Sequence, residues 1–277
     1  MPHSVTRKIG TAEISIITDG ATEFPTDLFP ESDPSHIGDM LAQAGQDRIR
    51  TNFNAVLLRE GNRTILLDAG PRDLFGPSCG NLPAALDELG VTPDQVDTLF
   101  ATHLHPDHIA GMITAEGAAA FPNATLILPE AERSFWGQES NFTGALASAA
   151  DWATLARAVM EAYADRLHPI AADAPIAPGL TALPLPGHTP GHSGWRLESG
   201  GEMLLHVGDI VHAPDIQFAD PDIAIAFDID MDTARKTRHA LLDELATDGA
   251  LVTGGHLLQP ALARVERSTK GYRLTPP

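Results

Sequence analysis

The 277-residue sequence predicts an α+β fold in which two β-sheets pack against each other and helices cover their outer faces. Two observations predict this arrangement. The chain has two halves, and each half shows strand-like runs followed by helical periodicity. Its hydrophobic content of 43% is also sufficient to fill a large buried core. The candidate site residues described below come from both halves, so we predict one domain over residues 1–277.

In the first half, runs of β-branched and aliphatic side chains predict strands at residues 13–18, 53–59, 64–67, 98–101 and 125–128. Asn81 is a candidate N-cap and Gly90 a stop signal, so the segment between them is predicted to be helical. Apolar periodicity that includes Trp152 and Val159 indicates a longer helix. The predicted helices of this half span residues 81–89, 129–136 and 151–165.

In the second half, the proline-rich stretch 171–190 is interpreted as a connector. Strands are predicted at 195–197 and 202–207, on either side of the turn Ser199-Gly200-Gly201. A helix over 232–246 and a strand over 250–253 complete the pattern. Candidate site residues lie on both sides of the connector, so it is not interpreted as a domain boundary.

The charge and composition of the chain argue against several classes of partner. With 37 acidic and 18 basic residues, the formal net charge is −19, which disfavours nucleic acid and anionic lipid surfaces. No run of about 18 apolar residues is present, so we expect no membrane partner. The single cysteine, Cys79, excludes an intramolecular disulfide. Together with the absence of an apolar leader at the N-terminus, these features favour a cytoplasmic protein.

The strongest motif is the segment Thr102-His103-Leu104-His105-Pro106-Asp107-His108. In an extended backbone, side chains two residues apart point the same way, so His103 and His105 can converge on one metal ion. Pro106 favours a turn, after which Asp107 and His108 begin a helix and face a second ion. Imidazole and carboxylate are suitable ligands for zinc, iron, manganese or cobalt.

Three further candidate metal ligands each follow a glycine directly, where the backbone can approach its neighbours closely. They are His188, Asp209 and His256. Asp209 and His256 also come shortly after predicted strands, and strand ends can assemble a site from distant parts of the sequence. The sequence therefore predicts that these three residues join the first motif in one metal centre.

This pattern resembles the metallo-β-lactamase-fold hydrolase superfamily, in which the motifs occur in the same order. The resemblance implies an αββα sandwich, with His103, His105 and His188 binding one ion. It implies that Asp107, His108 and His256 bind the other ion and that Asp209 bridges the two. Residues 121–124, 135–136, 208–212 and 255–272 are similar to the branch containing methyl parathion hydrolase and N-acyl-homoserine lactonases.

Other members of the superfamily fit the sequence less well. Zinc β-lactamases generally use a cysteine ligand, whereas Cys79 precedes the first motif. RNA-processing members carry an extra domain and a nucleic-acid surface, and flavin-bearing diiron members need a flavodoxin-like domain. The chain of 277 residues leaves no room for either extra domain, and its net charge of −19 does not suit a nucleic-acid surface. Glyoxalase II-like thioesterases and persulfide dioxygenases remain open alternatives.

The expected activity is metal-dependent hydrolysis of small lactones or esters. Two divalent ions, Zn²⁺ as the first expectation and Fe, Mn or Co as alternatives, can lower the pKa of a shared water to about 7. The bridging hydroxide would then be the nucleophile, and Asp107 would orient it and carry its proton. An organophosphate triesterase and a non-catalytic metal-binding protein on the same fold are the alternatives. The substrate's identity, its acyl-chain length and the lactone-versus-triester preference stay open, as do the metal and a possible homodimer.

Several further residues are given roles around this centre. Phe135 and Trp136 are predicted to line an apolar substrate pocket, and His192 and His212 to support the metal ligands through hydrogen bonds. His206, within an apolar strand, is interpreted as a core residue. Residues 1–50 include an N-terminal extension, with apolar side chains around residues 23–29, that we expect to cover the cleft or a partner subunit.

Overall fold

Two seven-stranded mixed β-sheets form the centre of the protein in the computed structural model, which describes residues 3–277. Residues 1 and 2 of the predicted domain lie outside the described residues. In the first sheet the strands follow chain order: β1 Ser4–Ile9, β2 Ala12–Phe24, β3 Ile49–Glu60, β4 Arg63–Leu67, β5 Thr98–Phe100, β6 Thr125–Pro129 and β7 Leu167–Ile170. The second sheet contains β8 Pro175–Ala177, β9 Leu180–Pro184, β10 Ser193–Ser199, β11 Glu202–His206, β12 Leu251–Thr253, β13 Ala263–Arg267 and β14 Tyr272–Thr275.

The described residues form seven α-helices: α1 Pro34–Gln43, α2 Leu82–Glu88, α3 Pro106–Ile109, α4 Glu130–Gly137, α5 Ala150–Ala162, α6 Pro214–Gln217 and α7 Met231–Asp248. Helices α2, α4 and α5 share an apolar core with the first sheet, whereas α7 packs against β13 of the second sheet. The predicted fold class is therefore confirmed as an αββα sandwich. None of the helices in residues 3–277 is long and apolar enough to cross a membrane.

The period-two alternation of β3 shows how one strand serves two cores. Val56 and Leu58 face the core that joins the two sheets, whereas Ala55 and Leu57 face the core beneath the helices. Because successive side chains of a strand point to opposite faces, a strand covered on both sides is hydrophobic without interruption. Burial on both faces therefore accounts for the continuous apolar run in β3, and it holds the sheet rigidly beneath the strand ends.

The proline-rich stretch 171–190 contains regular structure, which corrects its interpretation as a connector. Strands β8 and β9 lie within it, and β9 pairs antiparallel with β10. Pro175 begins the edge strand β8 and Pro184 ends β9, which are positions where the missing N–H of proline is tolerated. The side chains of Leu180 and Ala182 enter the inter-sheet core, so burial outweighs the local turn signals.

A third apolar cluster attaches the N-terminal extension to the rest of the domain. Phe29 and Ile37 of the extension pack with Ile216 of α6 and with Ile223 and Ile225 of the segment that precedes α7. The extension therefore lies beside the loops that follow the strands of the second sheet. That the extension covers the cleft or a partner subunit stays a prediction.

Candidate metal centre

The four loops that carry the candidate ligands follow strands β5, β9, β11 and β12, and they meet at one edge of the sandwich. After β5 the chain bends at Thr102 and His103 and is extended at His105, which has φ −73° and ψ 151° and precedes α3. Asp107 and His108 lie in the single turn of α3. This change from extended to helical backbone directs the first two histidines and the next two polar residues to separate groups.

The first group consists of His103, His105 and His188, which offer one ring nitrogen each, all within 4.8 Å of one another. The Nδ1 atom of His105 and the Nε2 atom of His188 are 2.9 Å apart. All three side chains are buried. Residues separated by more than 80 positions are thus brought into one ligand set.

The second group consists of Asp107, His108, Asp209 and His256, again with ligand atoms within 4.8 Å of one another. The Oδ2 atom of Asp209 lies 3.1 Å from His108 Nε2 and 2.9 Å from His256 Nε2. The same oxygen lies 3.7 Å from His103 Nε2 and 3.5 Å from His188 Nε2, which are in the first group. Asp209 therefore stands between the two groups.

The donor atoms of the cluster fit a pair of divalent ions. Within the described residues, His103 Nε2 and Asp209 Oδ1 are buried and have no hydrogen-bond partner. A buried polar atom without a partner costs about 1–3 kcal/mol, and a bound cation removes that cost. Imidazole nitrogens and carboxylate oxygens are the donor types that zinc and related divalent ions prefer. The cluster is consistent with a dinuclear metal site.

Comparison with known proteins supports the same conclusion. The sequence model described as the metallo-beta-lactamase superfamily matches residues 50–256. The chain belongs to the metallo-β-lactamase superfamily. Among curated protein sequences, no significant match is found.

Solved structures of the superfamily superimpose over the whole chain. The hydrolase AbOPH of the beta lactamase superfamily is 30% identical with a TM-score of 0.93, and the match covers 100% of this chain and 98% of that one. AidC, a dizinc quorum-quenching lactonase, is 25% identical with a TM-score of 0.92, covering 100% and 99%. A probable metal-dependent hydrolase from Staphylococcus aureus, 19% identical with a TM-score of 0.78 and covering 97% and 98%, shares the fold. This superfamily member is thus a metal-dependent hydrolase.

Glycines that precede the ligands let this metallo-β-lactamase fold close around the centre. A Cβ atom on Gly208 would lie 2.3 Å from Nε2 of His192, and one on Gly255 would lie 2.6 Å from Oδ1 of Asp209. Both distances are too short for any side chain. The close approach inferred from the sequence therefore has a steric cause at these two positions.

Carboxylates and carbonyls behind the ligands fix the orientation of the imidazole rings. Asp68 lies 2.9 Å from Nδ1 of His108 and also accepts hydrogen bonds from the N–H and hydroxyl of Thr102. Asp228 lies 2.9 Å from Nδ1 of His188. Each contact occupies Nδ1 and directs Nε2 into the cluster. Asp68 adopts φ 58°, a strained conformation for a residue other than glycine, which agrees with a tightly determined position.

Burial lowers the pKa of His103, His105 and His188 well below the ordinary value of histidine, and the neighbouring histidines lower it further. The three rings are therefore neutral and have a lone pair available for a cation. Burial also lowers the pKa of His206 to about 4. That ring stacks on Trp195 and accepts the N–H of Gly208, which agrees with its interpretation as a core residue.

In the second group, neighbouring charges shift the pKa values more than burial does. Burial opposes protonation of His108, but the carboxylates of Asp209, Asp107 and Asp68 raise its pKa well above the ordinary value. Burial likewise opposes ionisation of Asp209 and Asp107, yet the neighbouring histidines hold both pKa values below the usual range. Both carboxylates are therefore ionised, which is the form that binds cations.

The two histidines expected to support the ligands take different positions. His192 accepts a hydrogen bond from the backbone N–H of Asp209 at 2.9 Å and contacts the carbonyl of Leu185, so it holds the Asp209 loop. His212 lies 3.3 Å from Asp209 Oδ2, and neither of its ring nitrogens has a hydrogen-bond partner among the described residues. Its ring also borders the cavity above the cluster.

An apolar cavity of about 250 Å³ opens above the centre, and Asp107, Asp209 and His256 form part of its floor. None of the described residues that line it is lysine or arginine. Most of its wall is aromatic or aliphatic and comes from five separate segments: Phe24, Leu28, Phe53, Phe75, Trp152 and Phe227. The N-terminal extension thus contributes Phe24 and Leu28 to the wall.

Phe135 and Trp136 do not line this cavity, which corrects their predicted role. Trp136 is fully buried behind the first group, with its ring edge-on to His105 at 5.4 Å, and Phe135 packs against it. Trp152, assigned from the sequence to a packing stripe, lies in the cavity wall and meets His105 at 5.0 Å. The aromatic residues of α4 support the site from behind, while α5 supplies the wall.

Three buried carboxylates near the centre had no role in the sequence-based prediction: Asp68, Glu132 and Asp228. Asp68 follows the strand β4 within Leu67-Asp68-Ala69-Gly70, so its place after a strand was a signal that could have found it. Glu132 lies on a helix among other charged residues, and Asp228 lies in a segment with no regular structure. Neither has a local signal, because each acts on residues distant in the sequence.

Proposed function

We propose that this protein hydrolyses small uncharged lactones or esters with two Zn²⁺ ions held by the His/Asp cluster. The observation that carries the proposal is the pairing of that cluster with an apolar cavity whose described lining contains no lysine or arginine. Apart from the proposed ions, whose charge Asp107 and Asp209 partly neutralise, the described lining offers a negatively charged substrate no cationic side chain. An uncharged acyl group, by contrast, gains from burial against the aromatic wall.

The similarity to AidC supports both the substrate class and the metal. AidC is described as a dizinc quorum-quenching lactonase and matches this chain along its whole length at 25% identity. His103, His105 and His188 would hold one ion, Asp107, His108 and His256 the other, and Asp209 would contact both. The ions would polarise the carbonyl and make water a nucleophile near neutral pH.

The remaining chemistry belongs to the side chains of the cavity floor. The Asp107 side chain is 16% exposed, whereas those of His108 and Asp209 are almost fully buried. It is therefore the carboxylate of the cluster that water and substrate can reach. In the proposed reaction Asp107 orients the attacking water and takes its proton. His212 offers a ring N–H at the same floor for a hydrogen bond to the substrate.

An uncharged aryl phosphotriester is the second candidate substrate, because the same cavity accepts any neutral ester of similar size. The two candidates differ in the shape of the group attacked: a planar acyl carbon or a tetrahedral phosphorus. The apolar wall, which suits an acyl chain beside the floor, favours the lactone or ester.

The test is a substrate panel assayed while Zn²⁺ is titrated into metal-free protein. The panel contains acyl lactones of increasing chain length, neutral aryl esters, an aryl phosphotriester and matched anionic esters. We expect activity to rise to a plateau at two equivalents, with kcat/KM highest for neutral lactones or esters.

Two results would contradict this assignment. Phosphotriester turnover far above lactone and ester turnover would make the second candidate the function. A preference for the anionic esters over their neutral counterparts would rule out both candidates. Elemental analysis of protein purified without added metal tests the choice of zinc separately.

A further inference from the structure

Glu132 is a completely buried carboxylate that receives four hydrogen bonds. Its Oε2 atom accepts from the N–H of Leu104 at 3.0 Å and from the indole N–H of Trp136 at 2.8 Å. Its Oε1 atom accepts from the hydroxyl of Thr189 at 2.6 Å and from the N–H of Gly191 at 2.8 Å. One side chain of α4 thus binds two loops and an aromatic side chain that are otherwise separate.

Three of these four partners adjoin one or two of the histidines of the first group. Leu104 lies between His103 and His105 in the sequence, and Thr189 directly follows His188. Trp136 packs edge-on against His105 with ring centroids 5.4 Å apart. No hydrogen bond of Glu132 reaches the loops that carry Asp209 and His256.

From this arrangement we propose that Glu132 is a positioning residue for one half of the metal centre. It holds the loop of His103 and His105 against the loop of His188, so that the three ring nitrogens converge before an ion arrives. None of its four partners directly adjoins a member of the second group, built from Asp107, His108, Asp209 and His256, so we expect that group to depend on it much less. This inference rests on the proposed dinuclear function.

Glutamine cannot take over this role, although it has the same shape. Both donors at Oε2, and one of the two donors at Oε1, are N–H groups, which cannot accept a hydrogen bond. An amide NH₂ at either position therefore faces at least one N–H group. The loop also has no room to adjust, because a Cβ atom on Gly191 would lie 2.6 Å from the backbone nitrogen of Glu132.

The test is Co²⁺ binding to metal-free Glu132→Gln, followed by the visible absorption of the bound ion. We expect wild-type protein to take up two equivalents. In the variant, one equivalent should bind about 10–100-fold more weakly, as for other residues that orient metal ligands. The other equivalent should change by less than about threefold. This readout does not require any substrate.

Asp19→Asn is the matched control for the loss of a buried carboxylate. Asp19 is also fully buried and accepts backbone N–H groups from Leu82, Arg72 and Gly80, away from both ligand groups. We expect this variant to unfold at a lower temperature but to keep both Co²⁺ affinities. If it weakens Co²⁺ binding as much as Glu132→Gln does, the effect is one of general stability and the proposal is wrong.

Two variants that each lack one metal ligand show which of the two Co²⁺ ions is affected. In His256→Ala the tight equivalent belongs to the first group, so adding Glu132→Gln should weaken it. In His105→Ala that group is already damaged, and adding Glu132→Gln should change the remaining affinity little. Equal weakening in both backgrounds, or none in either, would overturn the proposal.

Trp136→Phe provides a second variant in case Glu132→Gln does not fold, because it removes only one of the four donors. It should weaken the same equivalent by a smaller factor, and unchanged Co²⁺ affinity would count against the proposal. Wild-type protein that binds fewer than two Co²⁺ ions would instead refute the dinuclear function. The two failures are therefore distinguishable.

Discussion

The two sheets contribute to the metal centre in different ways. The first sheet supplies His103, His105, Asp107 and His108 from one loop after β5, and the start of α3 at Pro106 separates the members of the two groups along the chain. The second sheet supplies His188, Asp209 and His256 from three loops, after β9, β11 and β12. The first contribution is a sequence motif, whereas the second depends on strands being adjacent in the folded sheet.

The supports behind the two contributions also differ. Asp68 holds His108 from the end of β4, the strand next to β5 in the first sheet. His188 depends on Asp228, which is separated from it by the same 40 residues but lies in a segment without regular structure, and on the loop contact to Glu132. We therefore expect the second sheet's ligands to be more sensitive to changes in segments outside the sheets. The predictions below test this difference.

The largest effect is expected for Asp209→Asn, because this side chain contacts both ligand groups. The carboxylate would lose its charge among five histidines within 4 Å of its Oδ2 atom, four of which belong to the two ligand groups, so both metal sites should weaken together. We expect kcat/KM to fall by about 10³-fold or more, with both Co²⁺ equivalents bound weakly. Retention of one tight equivalent would show that Asp209 serves a single group.

Asp107→Asn should reduce kcat by about 10²–10³-fold while the fold survives. The reason is that Asp107 is the cluster carboxylate exposed to the cavity, so its loss removes the proton acceptor. The measurement is kcat at saturating metal, together with thermal unfolding. Asp73→Asn, an exposed carboxylate paired with Arg72, is the control and should leave kcat unchanged. Near-normal turnover of Asp107→Asn would mean that its role is misassigned.

Asp228→Asn should have the smallest effect, confined to the first group. Without the carboxylate beside Nδ1 of His188, the affinity for one ion should fall by about 10–100-fold. Because the ligand itself remains, excess metal should restore most of the activity. Asp222→Asn, which alters an exposed carboxylate on the same segment, is the control. Lost activity that added metal does not restore would contradict this account.

Much of the fold was predictable because local pattern and burial agree. Strands β3, β4, β5 and β6 have apolar runs that reflect burial on both faces, and α7 has a long helical pattern with Gly249 at its end. Strands β8 and β9 were missed because prolines and glycines around them resemble a loop. Pairing with β10 and burial of Leu180 decide their conformation, and both involve partners outside the local window.

The sequence by itself determined the chemistry of the centre: histidines and aspartates in a motif whose spacing follows from backbone geometry, with glycines at points of close approach. Only the tertiary structure decided which carboxylates lie behind those ligands and which apolar side chains surround the substrate. Glu132, Asp228 and Phe227 carry no local signal, because their roles depend on contacts between segments that are distant in sequence. The type of a residue shows whether it can bind a metal. The hydrogen bonds that orient the ligands and the wall of the substrate cavity arise from packing between distant segments.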